Sequence, residues 1–229
     1  MACFHPLDAF FYTGSDGKKV ISFVNDLKHS WVPMKLPCGR CVGCRLERSK
    51  QWAIRCVHES QLYKDNCFIT LTFDNDHLDE DGSLQLRDFQ LFMKRLRKQF
   101  VPPNPYEEGS IEYDDFQQSH AIRFFHCGEY GELNKRPHHH AIIFNFDFDD
   151  KYLWKCGTNP LWRSFILEKL WPYGMSSIGK VIFESAVYVV RYVMKKVNGE
   201  LADEHYVNEF GVIRKSEYVT MSRRPGTLS

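Results

Sequence analysis

The chain has no run of about 18 apolar residues, so no membrane span is expected. Its N-terminus lacks a basic segment followed by an apolar core and does not read as a secretory signal. No Gly-x-x-x-x-Gly-Lys-Ser/Thr stretch is present, so no nucleotide cofactor is expected. Net charge is also scarce: 30 Lys and Arg offset 29 Asp and Glu, leaving +1. Total charge therefore does not announce a nucleic-acid partner. Apolar residues are not lacking. At 43% apolar and 15% aromatic content, 229 residues can bury one sizeable core, with or without a small module.

The charge is segregated rather than absent. From Lys35 to Lys64 there are seven Lys and Arg against two Glu, and from Asp65 to Gly82 six acids and no Lys or Arg. Arg87, Lys94, Arg95, Arg97 and Lys98 then make Leu84 to Phe100 basic again. Such blocks can build a basic face on a neutral protein, although each is also what a solvated helix face looks like.

Eight cysteines include Cys38, Cys41 and Cys44, two overlapping Cys-x-x-Cys units. That spacing suits a metal better than disulfides, and zinc better than an iron–sulfur cluster. The bland reading is three free thiols in a loop. A closed zinc site needs a fourth ligand. Arg45 to Leu62 contains no Gly or Pro and reads as a helix, which puts Cys56 about 18 Å along the axis from Cys44. Cys3 or His5 is the better fourth ligand. Residues 1–64 are taken as an N-terminal extension with a zinc module and a basic helix, and residues 65–229 as the main domain.

Ser15-Asp16-Gly17 reads as a hairpin turn between Phe10–Thr13 and Lys19–Val24, and Pro33 and Pro37 keep the chain extended after it. Phe68 to Phe73 is a strand, and Leu86 to Phe100 an amphipathic helix with Phe89, Phe92, Met93, Leu96 and Phe100 on one side. Residues 101–119 read as a mobile acidic loop. Asn159-Pro160 starts a helix running to Trp171, and Ser176 to Phe183 reads as a strand. Ser185 is then a candidate cap for a helix closed by Asn198-Gly199, and residues 200–222 form an extra hairpin around Phe210-Gly211. The order of strands and helices gives an α+β fold. Its antiparallel central sheet would carry the functional residues on an exposed face, with helices packed behind.

The informative stretch is Arg136-Pro137-His138-His139-His140-Ala141-Ile142-Ile143-Phe144. On a strand His138 and His140 share one face and His139 takes the other. Paired imidazoles on a rigid strand make natural metal ligands, although His-x-His alone is weak evidence. Ala121 to Cys127 can pair with this strand across a Gly-rich, Asn134-containing turn. That brings Glu129 near the histidines as an oxygen ligand. Downstream, Tyr188, Tyr192 and Lys195 fall on one face of a helix at i, i+4 and i+7. Tyrosines so spaced are usually packing residues, and the valine-rich segment makes a strand a competitor there.

Taken together these residues resemble the HUH endonuclease superfamily, the rolling-circle replication initiators and relaxases. The Tyr-x-x-x-Tyr-x-x-Lys form is similar to the initiators of small single-stranded DNA phages, in particular the gokushovirus group of microviruses. The likeness extends to Met1–Pro6, Cys38–Cys44, Phe68–Phe73 and Met221–Gly226, nearly the whole chain. It departs at His139, where the family usually has a bulky apolar or aromatic residue. The resemblance implies a ferredoxin/RRM-like HUH fold with Mg²⁺ or Mn²⁺ held by Glu129, His138 and His140. It implies Tyr188 and Tyr192 as successive nucleophiles and Lys195 as a supporting cation. Arg136, Arg191 and Lys196, cations beside these motifs, are the candidate DNA contacts. The implied partners are single-stranded DNA at a viral origin and a host helicase and polymerase, in the bacterial host cytoplasm. In that family the stretch near Arg223-Arg224-Pro225-Gly226 is not usually the end, so a longer protein is expected. A non-catalytic zinc-containing nucleic-acid-binding protein and a metal-dependent hydrolase of small substrates are the competing readings.

Overall fold

The computed structural model describes residues 3–25, 29–195, 205–208 and 211–222, with only the backbone of 191–195. The chain divides into two units, Met1–Lys50 and Gln51–Ser229. No helix among the described residues is long and apolar enough to cross a membrane.

The first unit holds an antiparallel sheet of β1 (Leu7–Thr13), β2 (Lys19–Ser22) and β3 (Val32–Leu36), in the order β2-β1-β3. Gly17 adopts φ 75° at the expected turn, where the Asp16 carboxylate accepts a hydrogen bond from the Lys18 amide. Pro33 sits on β3, an edge strand, where a missing amide donor is tolerated. Helix α1 (Val42–Ser60) begins in this unit and continues across the boundary.

The second unit is built on a seven-stranded antiparallel sheet, ordered β10-β5-β6-β4-β9-β8-β7. Its strands are β4 (Asn66–Thr72), β5 (Arg123–Tyr130), β6 (Pro137–Phe144), β7 (Tyr152–Lys155), β8 (Leu161–Arg163), β9 (Ser176–Gly179) and β10 (Tyr218–Met221). Its other helices are α2 (Leu86–Phe100), α3 (Ile111–Ser119), α4 (Phe165–Leu170) and α5 (Phe183–Lys195). The class is mixed α+β with antiparallel sheets, as expected.

Alternation along the central strands divides the core in two. Cys67, Ile69 and Leu71 of β4 and Ala141 and Ile143 of β6 face α2 and α4, burying Phe89, Phe92, Leu96, Leu167 and Trp171. The opposite face carries Phe125, Ile142 and Phe144, covered by Ala53 and Cys56 of α1 and Ala186, Val189 and Val190 of α5. The expected open face therefore does not exist. Large apolar side chains share it with the histidines, and leaving them in water would cost about 1.5–3 kcal/mol each, so helices cover that side too.

Other expectations are corrected. Residues 111–119 form α3, because Ser110 caps it by accepting from the Tyr113 amide and Glu112 and Asp114 favour its first turn. The helix expected from Asn159 starts at Phe165. Leu161–Arg163 pairs into the sheet instead, with Trp162 opposite Ile178, and Ser164 takes the cap by accepting from the Leu167 amide. The strand expected over 176–183 ends at Gly179. Ser185 lies inside the first turn of α5, and its hydroxyl donates to the Ile182 carbonyl. Asn198-Gly199 and Phe210 lie outside the described residues. Around them the Val207–Ile213 bridge and Gly211 at φ 77° form a turn.

Candidate metal centre

The β5–β6 hairpin builds the site. Its turn closes with the Gly131 amide donating to the Arg136 carbonyl at 2.9 Å and Lys135 at φ 48°. This register sets Glu129 opposite His138 and Cys127 opposite His140. Glu129 Oε1 lies 2.6 Å from His138 Nε2 and 3.0 Å from His140 Nε2. One ligand atom from each of the three side chains lies within 4.8 Å of the others.

The outer nitrogens orient both rings. His138 Nδ1 lies 3.1 Å from the Arg136 carbonyl, an acceptor only, so Nδ1 carries the proton. His140 Nδ1 lies 2.9 Å from the Thr70 hydroxyl. Each Nε2 thus turns toward one carboxylate oxygen, and a proton or a cation must lie between them. A divalent ion satisfies all three donors at once, and two nitrogens plus one oxygen leave positions open for further oxygen ligands. The donor set fits the expected ion. Burial is the largest single effect on Glu129 and raises its pKa, but the hydrogen bonds and charges of His138 and His140 together hold it below the usual carboxylate range.

His139 points to the other face, as strand geometry requires. It is fully buried, with Nδ1 3.1 Å from His126 Nε2 and its ring against Phe73 and Trp171. Burial, then the charges of His138 and His140, push its pKa down to about 3. His126, also buried, is pushed well below its ordinary value, and its Nδ1 lies 2.9 Å from the Thr220 hydroxyl.

Tyr188 is helical, as expected, and exposed. Its ring stands edge-on to His140 at 5.0 Å between centroids and to Phe68 at 6.3 Å. It borders two clefts. A polar one of about 580 Å³ is lined by Glu129, Glu132, Arg136 and His138, and a more apolar one of about 630 Å³ runs past His140. The side chains of Arg191, Tyr192 and Lys195, and all of Lys196, lie outside the described residues. Arg136 lines the polar cleft while its guanidinium donates to the Phe73 carbonyl and to Asn75. Sequence reasoning did not single out Thr70 or Phe68 for this site. The signal was available, since alternation along β4 places both on the histidine face.

In the first unit the sulfurs of Cys3, Cys38, Cys41 and Cys44 lie within 4.8 Å of one another. Cys38–Cys44 is 4.0 Å and Cys3–Cys41 is 3.9 Å, close to the ~3.8 Å edge of a tetrahedron with ~2.3 Å metal–sulfur bonds. Cys3 is therefore placed as the fourth member. Cys56 is buried in the sheet core. Amides of Cys44 and Phe4 donate to the Cys41 sulfur and lower its pKa to about 6. Burial, then contact with Cys3, pushes Cys44 up to about 12. Four crowded thiols that cannot all ionise without a cation are suited to holding one.

An antiparallel α+β domain with two histidines and a carboxylate converging on adjacent strands belongs, on these features, among candidate metal-dependent proteins. The chain belongs to the phage replication-associated protein ORF2 family, whose model matches residues 66–197. It is 35% identical over 210 residues to replication-associated protein VP4 of Bdellovibrio phage phiMH2K, covering 90% of this chain and 62% of that protein. It is 30% identical over 213 residues to replication-associated protein ORF2 of Spiroplasma virus 4, covering 86% and 62%. Replication-associated protein ORF4 of Chlamydia phage 1 is 33% identical over 167 residues, 70% of this chain and 38% of its own. The chain thus spans less than two thirds of the length of these curated relatives. No solved structure matches it. The family agrees with the resemblance to phage replication initiators drawn from the motifs.

Proposed function

We propose that the chain initiates rolling-circle replication by nicking single-stranded DNA at a phage origin and rejoining it, through a tyrosine nucleophile. The observation that carries this is the convergence of Glu129, His138 and His140 beside the Tyr188 ring. The names of the relatives support a replication role. The sub-order β9-β4-β6-β5, with α2 after β4 and α4 before β9, supports the ferredoxin-like HUH reading.

Glu129, His138 and His140 would hold Mg²⁺ or Mn²⁺. Bound there, the ion would polarise a phosphate and neutralise its developing charge. The phenol of Tyr188, with an ordinary pKa near 10, attacks phosphorus and loses its proton. The phosphorus–O3′ bond breaks and the O3′ takes up a proton. A 5′-phosphotyrosyl bond and a free 3′-OH result, with no water consumed and no ATP required. The 3′-OH primes synthesis by a host polymerase, and the covalent bond keeps the strand ready for rejoining. Tyr192 supplies the second transfer, Lys195 a cation for the phenolate or phosphate, and Arg136, Arg191 and Lys196 contacts to DNA. The cysteine cluster holds a structural Zn²⁺. The setting is the host cytoplasm.

A denaturing gel of protein, labelled single-stranded origin oligonucleotide and Mn²⁺ tests this. A covalent adduct is expected with either Tyr188→Phe or Tyr192→Phe alone and none with both changes. An adduct formed by the double variant would place the nucleophile elsewhere. No adduct with the wild-type chain would favour the non-catalytic nucleic-acid-binding reading, for which the cysteine cluster also speaks.

A further inference from the structure

The cleft of about 630 Å³ beside the metal centre is not used by the chemistry above. It starts at Tyr188 and His140 and runs along β4 and β9. Phe68, Leu161 and Ile182 give it apolar walls, while Asn159 and Ser177 bring an amide and a hydroxyl into it. Lys180 stands at its edge, 5.9 Å from the Trp162 ring centroid. Gly179 forms part of the floor, opposite Phe68 in the β4–β9 register. A β-carbon at Gly179 would lie 3.2 Å from Phe68 Cδ1 and 3.7 Å from Leu161 Cδ2, so glycine keeps the floor low.

Flat apolar walls, a few donors and acceptors and a cation at the rim suit a nucleobase on its sugar-phosphate chain. A phosphate at the metal centre would have this cleft on one side of Tyr188 and the polar cleft of Glu129, Glu132 and Arg136 on the other. We infer that the β4–β9 cleft receives one unstacked base next to the reacting phosphate and reads it through Asn159 and Ser177, making these side chains determinants of sequence preference. The inference rests on the nuclease reading for where that phosphate lies.

A single-stranded DNA library with a short randomised window tests it in two arms, strands retained by binding and strands captured covalently with Mn²⁺. Wild-type protein should show a base preference of about ten-fold or more at one position beside the nick. Gly179→Leu, which raises the floor, and Asn159→Ala, which removes the amide, should flatten that position alone and leave other preferences in place. Asn159→Ala changes no buried packing and keeps the test alive should Gly179→Leu fail to fold. Unchanged preferences in folded variants that still form adduct overturn the cleft and leave the nuclease reading standing. Without any adduct the nuclease reading falls, and the binding arm still decides the cleft: a preference lost in the variants supports it, and an unaltered one overturns it.

Discussion

At the scale of single residues, the second nitrogen of each imidazole matters as much as the first. Thr70 fixes the His140 ring by its Nδ1, so Thr70→Val, which keeps shape and loses the hydroxyl, is expected to weaken metal binding by about 10- to 100-fold. Titration of the purified protein with Mn²⁺ would show this, and an unchanged affinity would mean that strand geometry alone orients the ring. On the other face His139 and His126 are held neutral by burial. Each is depressed in the folded chain and returns to about 6.5 when unfolded. Their stability contribution is therefore complete above pH 6.5 and is lost as pH falls toward the folded values, by up to about 1.4 kcal/mol per pH unit for each group. His139→Phe, of a size the buried aromatic surroundings accept, should make the acid-side fall in melting temperature shallower. Melting curves from pH 7.5 down to pH 5 would detect it, and an identical slope would count against the buried neutral pair.

At the scale of elements, Gly174 sets how the segment before β9 meets the end of β4. A β-carbon there would lie 2.5 Å from the Thr72 carbonyl oxygen and 2.6 Å from the Asp74 amide nitrogen, both backbone. The same junction holds the Trp171 indole on the Thr72 carbonyl and the Thr72 amide on the Met175 carbonyl. Gly174→Ala should cost about 2 kcal/mol and about 4–8 °C in melting temperature. A loss under a degree would show that the junction can open. Elements governed by local rules were legible in the sequence. The period of two put His138 and His140 together, the 3.6-residue period gave the buried face of α2, and chain reach removed Cys56 from the cysteine cluster. Elements decided by tertiary contacts were not. Asn159-Pro160 carries a sound helix-start signal, yet Leu161–Arg163 gains more as a strand against Ile178. Nor does the alternation of β6 say which helix covers the histidine face, so Tyr188 beside His140 came from the family likeness rather than from periodicity.

At the scale of the whole chain, the two metal-ligand groups lie in different units, which makes them separable by experiment. The first unit has little core of its own. Ala9 is its only buried apolar residue among those described, while Val20, Ile21, Phe23, Val24 and Val32 are exposed. A cation bound by Cys3, Cys38, Cys41 and Cys44 would tie residue 3 to the start of α1 and contribute folding free energy that the small sheet cannot supply. Elemental analysis of purified protein should therefore find zinc. The His138→Ala, His140→Ala double variant should retain it, because no histidine of the second unit belongs to that cluster. Cys41→Ser should release it and expose the N-terminal 50 residues to limited proteolysis, with a strong chelator doing the same to the wild type. Loss of zinc from the histidine variant would join the two sites. A purified wild type without zinc or iron, and with its N-terminal unit as protease-resistant in chelator as without, would leave the four cysteines as packed thiols.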